Sequence, residues 1–378
     1  MSENKEVQLN NRLEKKQRFQ YVDQFRGLVI ILMLVDHCSY YLNSIWLHLD
    51  PFDPLFDSWG QVAIRYVSYF CAPGFLLISG SMVWWSFHRR IEKGVSKRLA
   101  RWHLIQRGIF LIILQMTWVN SSWGGFQSFK PWHLGIIACI GISIILLALI
   151  VNFRWQVQLL IGIAILFIHP FLLKIPYDPE VTWTRVLMQT FIDAGEFNKY
   201  PVLPWFAIAT LGSVMATGWF KFWKTDKKRI YMGLWIAVAA LILATILRIN
   251  RGYGNILPYS DFGSYSYFFD QKYPSSLYFN LWFFGLVVLF VTGFIALNKV
   301  APKILTIFTI PGKVALFFYC AHIAILGVFV KRTGLFYRDG GVLATLIGVA
   351  VMMLIMLPLS KWFYGVKLRS KNYFIRMM

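Results

Sequence analysis

The sequence of 378 residues has few charged side chains for its length. Only 15% of the residues are Asp, Glu, Lys or Arg, whereas a soluble domain usually carries about 25%. Hydrophobic residues make up 57% of the chain and aromatic residues 18%. This composition is typical of an integral membrane protein and argues against a soluble enzyme.

Cysteine is also scarce, and its placement excludes two kinds of site. The four cysteines all lie in apolar segments, at Cys38, Cys71, Cys139 and Cys320. They form neither a C-x-x-C pair nor a zinc-type spacing. We therefore expect no disulfide framework and assign no metal to the protein.

Several recognisable motifs are missing as well. The sequence contains no H-E-x-x-H, no paired-carboxylate motif and no serine nucleophile elbow, which leaves metalloprotease, glycosidase and hydrolase activities without support. It shows no internal repeat of the kind found in many secondary transporters. The first apolar run lacks a signal-peptide cleavage site and contains Asp36 and His37, so it is predicted to be a retained membrane span.

Basic residues are plentiful, and their distribution gives an orientation. The net charge is +21, but the cations lie in short clusters between apolar runs, not on one soluble face or in a tail, so no nucleic-acid partner is expected. Most of the 38 lysine and arginine residues fall on one side of the membrane if both termini are cytoplasmic. The positive-inside rule predicts that orientation.

Apolar windows of about 20 residues, the length that spans a bilayer as a helix, occur ten times. The predicted fold class is therefore all-α integral membrane, with about ten transmembrane helices. The predicted organisation is a cytoplasmic tail over residues 1–22, a membrane domain over 23–365 and a second cytoplasmic tail over 366–378. The long connections 175–202 and 249–276 are predicted to be exoplasmic, and long loops of this kind tend to be functional.

Asp36 and His37 lie near the middle of the first span. Ionisable groups at that depth are costly and usually functional, although a structural polar pair bonded to a neighbouring helix is the alternative. Arg65 begins the next, antiparallel span, and we expect it to neutralise Asp36. Neighbouring residues on a helix point about 100° apart, so Asp36 and His37 face different partners.

His48 lies at the exoplasmic end of the same span, close to Asp50 and Asp53. A histidine oriented by carboxylates is a plausible general base, because imidazole titrates near neutral pH; an interfacial histidine beside an acidic loop is the alternative. On a straight helix His37 and His48 share a face but stand about 16 Å apart.

Two further histidines and two arginines are candidates. His133 begins the fourth span and His322 lies within the ninth, and either could serve catalysis or an interhelical hydrogen bond. The cytoplasmic segment 88–107 is strongly basic, which the positive-inside rule and contact with anionic lipid would explain. It would equally supply cations for the phosphates of coenzyme A, and Arg101 and Arg107 are the preferred residues.

Short motifs spread over nearly the whole chain carry a resemblance to a known membrane family. They are Asp23–Leu28, Asp36-His37, Phe70–Phe75, Tyr200–Trp205, Lys272–Leu277, Gly312–His322 and Leu357–Trp362. In this order they resemble the bacterial branch of the heparan-α-glucosaminide N-acetyltransferase-like family.

The resemblance implies a transmembrane acyltransferase fold in a bacterial inner membrane. It further implies acetyl-CoA as a cosubstrate from the cytosol, and a sugar amine or hydroxyl as the acceptor on the other side. The catalytic pair of the animal enzyme, an Asn and a His, corresponds to the positions of His37 and His48. The first position therefore departs from that pattern, with His in place of Asn.

The sequence thus predicts an acyl-CoA-dependent transmembrane N- or O-acetyltransferase. The predicted catalytic residues are His48, His37 and Asp36; the predicted substrate-binding residues are Arg65, His133, Trp205, Lys272 and His322; and Arg101 and Arg107 are predicted to bind the cosubstrate. Expected partners are membrane lipid and a glycan or glycolipid acceptor. The sequence does not determine the oligomeric state, and a homodimer is one of the options. The alternative function is a carrier or flippase for a glycolipid or organic anion.

Overall fold

The computed structural model describes residues 2–46 and 58–378. The protein is 75% helix, and within the described residues no strand forms. The helices are α1 Ser2–Leu42, α2 Trp59–Glu92, α3 Lys97–Leu114, α4 Asn120–Trp123, α5 Ile136–Ile150, α6 Trp155–Leu172, α7 Thr182–Phe191, α8 Val202–Thr217, α9 Asp226–Ile249, α10 Tyr265–Phe268, α11 Leu277–Val300, α12 Thr306–Lys313, α13 Ala315–Leu326, α14 Val342–Arg369 and α15 Tyr373–Met377.

The apolar helices confirm the all-α membrane class. Eight segments in the described part of the chain are long and apolar enough to cross a bilayer. All ten predicted spans fall on helices, and the two that do not meet that length and composition lie on α3 and α5. The count of ten spans and the cytoplasmic placement of both termini stay predictions.

The bundle is built around α8, which is buried almost throughout its length. It packs against α2, α5 and α6, whereas α1 packs against α2, α12 and α14. The helices α6, α9 and α14 expose most of their apolar side chains, as expected of surfaces that face lipid. All four cysteines are buried.

Three helices end in a short π-helical turn, over Gln115–Val119, Gly218–Phe222 and Gly327–Arg332. Such turns widen a helix locally and often occur near functional sites. The first turn joins α3 to α4, and α4 carries the tryptophan described in the next subsection.

The crossing of α2 and α8 depends on glycine. A β-carbon at Gly80 would lie 1.7 Å from the carbonyl oxygen of Ala209, and one at Gly212 would lie 2.1 Å from that of Leu77. Ser81 Oγ donates a 2.8 Å hydrogen bond to the Gly212 carbonyl at the same crossing. Small residues let helix backbones approach closely in membranes, where packing and hydrogen bonds replace the hydrophobic effect as the force between helices.

Replacing Gly80 with alanine is therefore expected to separate α2 from α8 and to lower the free energy of unfolding by about 1–3 kcal/mol, as overpacking does. The matched control is Gly293→Ala on α11, where an added β-carbon would have no atom within 4 Å and should be neutral or mildly stabilising. Thermal unfolding of the purified variants in detergent measures the difference. Identical melting curves for the two variants would contradict the close crossing.

Candidate active site

A buried pair of histidines joins α1 to α13. His37 Nδ1 lies 2.6 Å from His322 Nε2, and His322 Nδ1 lies 2.6 Å from the carbonyl oxygen of Phe318. Because a carbonyl only accepts, His322 donates through Nδ1 and, when neutral, keeps a lone pair on Nε2. His37 must then donate through its own Nδ1. This chain of hydrogen bonds leaves the lone pair of His37 on Nε2.

Aromatic rings hold His37 in place. Its ring lies 4.9 Å from the ring of Trp123 on α4 and 5.7 Å from that of Tyr319, both edge to face, and stacks at 4.9 Å on His322. Edge-to-face and stacked rings restrict the rotation of an imidazole. The pair is therefore preorganised.

Asp36 faces a different set of neighbours, as the 100° rotation between adjacent helix residues requires. Its carboxylate interacts electrostatically with Lys272 and Arg65 and is within hydrogen-bonding reach of Ser68. Lys272 is buried, donates a 3.3 Å hydrogen bond to the Ser68 carbonyl and lies 5.2 Å from the ring centre of Tyr69. The structure thus places the predicted residues Asp36, Arg65 and Lys272 together.

The two long connections meet above Asp36. The hydroxyl of Tyr200, at the end of the first connection, lies 2.8 Å from that of Tyr273 in the second. Tyr273 directly follows Lys272. Burial and the neighbouring Tyr273 raise the pKa of Tyr200 well above its ordinary value, so Tyr200 stays a neutral phenol. Trp205, one turn into α8, is fully buried and lies 5.7 Å from the ring of Tyr200.

Arg248, in the last turn of α9, organises the second connection. It is fully buried and donates hydrogen bonds to the carbonyl oxygens of Leu257, Ser266, Tyr267 and Phe269 and to the side-chain oxygen of Asn255. Its guanidinium also lies 3.6 Å from the carboxylate of Asp270. Since Asp270 is two residues before Lys272, the arginine helps to fix the position of that lysine.

An inner cavity is lined in part by Tyr319, the residue whose ring contacts His37. Together with the open solvent at its entrance, it contains about 950 Å³ of space not filled by protein atoms. Its walls are apolar and come chiefly from α2, α3 and α5, with Phe75, Ile78, Leu104, Ile137, Ile140 and Ile144 among the lining residues. A narrow apolar space of this kind suits an extended, uncharged chain.

The mouth of the inner cavity is strongly basic. Arg26, Arg107, Lys313 and Lys367 all line it, and Arg26 lies close enough to Arg107 and Lys367 to repel both. Asp23, on the same helix, lies 3.3 Å from Arg26. Like charges held together by the fold favour a bound anion, and arginine and lysine are the usual partners of phosphate.

The inner end of the cavity comes within one side chain of the histidine pair, although neither histidine is among the described lining residues. Tyr319 lines the cavity and its ring lies 5.7 Å from that of His37. Met33, another lining residue, is one helical turn before His37 on α1. A ligand with an anionic head at the mouth would therefore place its far end beside Tyr319, whose ring contacts the His37 imidazole.

The remaining predicted residues have varied positions. His48 lies outside the described residues, so its predicted role stays a prediction. Arg107 lines the cavity mouth, whereas Arg101 is absent from the described lining. His133 donates a 3.0 Å hydrogen bond from Nδ1 to the Glu196 carbonyl.

Four residues that line the cavity were not predicted from the sequence as site residues, namely Arg26, Lys313, Tyr319 and Lys367. The first three lie inside motifs that carry the family resemblance, so the motifs held a usable signal. Lys367 had none, because its contribution depends on how α14 returns to the mouth.

The comparison with protein families is consistent with this arrangement. A sequence model of the catalytic region of heparan-alpha-glucosaminide N-acetyltransferase matches residues 18–247, which is more than half of the chain. The helical membrane fold and this match define a transmembrane acetyltransferase. The chain belongs to the heparan-alpha-glucosaminide N-acetyltransferase family. Lys272 and His322 lie beyond the matched residues, and the comparison with curated proteins found no match.

Replacing Arg248 with methionine is expected to lower the free energy of unfolding by about 3–5 kcal/mol, because it leaves the buried carboxylate of Asp270 and several carbonyls without their partner. The control is Arg251→Met, an exposed neighbour that donates a single hydrogen bond, to the Ser260 carbonyl, and should cost less than about 1 kcal/mol. Thermal or urea unfolding measures both. Equal losses would show that Arg248 does not hold the loop.

Proposed function

We propose that the protein transfers an acetyl group from cytoplasmic acetyl-CoA to an amine or hydroxyl of a sugar-like acceptor on the exoplasmic side. One observation carries this proposal: the inner cavity has a cationic mouth, apolar walls and an inner end at Tyr319, whose ring contacts His37 of the histidine pair. That order of charge, apolar wall and base follows the order of groups along an acyl-CoA molecule.

The donor fits the cavity group by group. The phosphates of coenzyme A would bind Arg26, Arg107, Lys313 and Lys367 at the mouth. The flexible arm would pass between the apolar walls, and the thioester would reach Tyr319 at the inner end. Family membership supports an acetyltransferase but does not identify the acetyl donor. The cationic mouth and apolar walls of the cavity favour acetyl-CoA as that donor.

The histidine pair supplies a base for the transfer. His37 Nε2 takes the proton from the acceptor's amine or hydroxyl while that atom bonds to the carbonyl carbon of the thioester. The carbon–sulfur bond then breaks, and the proton passes from His37 to the leaving sulfur. His322 holds the productive tautomer by accepting from His37 Nδ1, a positioning role, since orienting a base is a large part of its effect.

Polar groups on the far side of His37 suit the acceptor. Asp36, Arg65 and Lys272 offer charges and hydrogen bonds, and Tyr200 and Tyr273 offer aromatic and hydroxyl surface. Lys272 interacts electrostatically with His37, so its ammonium is also placed to stabilise the oxyanion of the transition state. His48 remains the predicted alternative base for the acceptor.

Replacing His37 with alanine is expected to lower kcat for coenzyme A release from acetyl-CoA by about 10²–10⁴, the usual contribution of a general base. His322→Phe keeps a ring in the stack but removes the acceptor nitrogen, so it should lower kcat less and change the pH profile of the reaction. His103→Gln, on α3 and outside the described cavity lining, is the control.

The assay uses purified protein with acetyl-CoA and a hexosamine acceptor. A wild-type rate in His37→Ala combined with a large loss in His48→Ala would transfer the role of base to His48. No coenzyme A release by the wild-type protein with any sugar acceptor would reject acetyl transfer itself.

The double substitution Arg107→Gln and Lys367→Gln is expected to raise the Kd for acetyl-CoA by at least about 100-fold, since each charged hydrogen bond contributes about 1.5–3 kcal/mol. Kcat at saturating donor should change little. Lys361→Gln, exposed on the same helix as Lys367 and outside the described cavity lining, should leave the Kd unchanged.

Calorimetry on protein in nanodiscs measures the Kd, and oriented vesicles show from which side the donor enters. Unchanged affinity in the double variant, or entry from the side opposite the basic mouth, would refute the proposed donor site.

A further inference from the structure

A second basic depression, here called the basic groove, lies apart from the inner cavity. It is formed by the end of α2, the turn between α5 and α6, and the π-helical turn after α8 with the residues that follow it. Together with the solvent at its open side, it contains about 2570 Å³ of space not filled by protein atoms. None of its lining residues lines the inner cavity. The groove is therefore a separate surface from the inner cavity.

Positive charge dominates the groove. Five permanent cations line it, namely Arg89, Lys93, Arg154, Lys221 and Lys224, against one acid, Glu92. Within the described part of the chain none of the five has a carboxylate within 4.0 Å. Cations that the fold brings together without acidic partners attract an anion that can contact several of them at once.

Aromatic rings form part of the groove lining. Trp84 stacks on His88 at 4.1 Å and on Phe220 at 5.8 Å, and the guanidinium of Arg89 lies 4.7 Å from the ring centre of Trp85. Tryptophan with lysine and arginine is the combination that membrane proteins place at the level of lipid headgroups. By the positive-inside rule this end of the bundle is the cytoplasmic one.

The rim of the groove continues as an apolar surface. Trp155 and Phe222 stand at the rim with rings 6.2 Å apart and both partly exposed. Along α6, Leu160 is 68% exposed and Ile163 is 42% exposed. A soluble anion would use only the cations, whereas a ligand with hydrocarbon chains would also cover this surface.

We propose that the basic groove binds the headgroup of an anionic phospholipid, with the acyl chains lying along α6. The charge complementarity selects a phosphate-bearing headgroup, and the continuous apolar rim selects a lipid over a free phosphate. The proposal is independent of acetyl transfer.

The test measures phosphatidylglycerol binding by native mass spectrometry of the full protein released from nanodiscs of phosphatidylcholine with a fixed fraction of phosphatidylglycerol. The double variant Arg154→Gln and Lys221→Gln should bind phosphatidylglycerol about 30-fold more weakly, from a contribution of about 1 kcal/mol for each cation near an anionic surface. The control is Lys227→Gln with Lys228→Gln, two exposed lysines close in sequence but outside the groove lining, and it should retain wild-type binding.

Three results would overturn the proposal. Equal losses in the groove variant and the control would show a general effect of surface charge. Equal binding of phosphatidylcholine and phosphatidylglycerol by the wild type would show no headgroup selection. Displacement of the lipid by millimolar inorganic phosphate would show a site for a soluble anion. The exposed groove side chains contribute little packing, and matching melting curves for both variants establish that the comparison is between folded proteins.

Discussion

The hydrogen bond between His37 and His322 connects residues that are 285 positions apart. It fixes α13 against α1, sets the tautomer of His37 and lies one side chain away from the inner end of the cavity, where Tyr319 lines the wall. In a membrane an imidazole nitrogen without a partner has no water to bind, and leaving it unsatisfied is costly. The same contact that makes two histidines tolerable in the bundle therefore gives one of them an oriented lone pair.

The surrounding structure applies the same constraint at two other places. Asp36 has cationic neighbours from two different segments, so a carboxylate at the middle of α1 does not stand alone. Arg248 is satisfied almost entirely by backbone carbonyls of the loop that follows it, with one carboxylate in addition. The partners of each polar group thus come from residues that are distant in the sequence or lie in non-helical loops. The helix that carries the polar group would not satisfy it alone.

Much of the fold could be predicted because hydropathy alone determines where a helix can cross a bilayer. The same argument identified Asp36, His37 and Arg65, since ionisable residues stand out in an apolar run. Partners were harder to predict. Nothing local in the sequence shows that His37 meets His322, because that contact depends on how α1 and α13 pack.

The arginines of α3 show the same limit. Arg101 and Arg107 are six residues apart, which turns them about 120° away from each other on the helix. Only the packing of α3 against α5 decides which of them reaches the cavity. Lys367 is an extreme case, because α14 must first cross the bundle before its last turns come back to the basic mouth.

The burial of all four native cysteines has a practical consequence for mapping the protein. Maleimide reagents that dissolve in water react with accessible thiols, and the side chains of Cys38, Cys71, Cys139 and Cys320 are shielded by packed helices. The natural sequence thus has a low labelling background. Single cysteines can be introduced into the connecting loops one at a time, without first removing residues that fill the core.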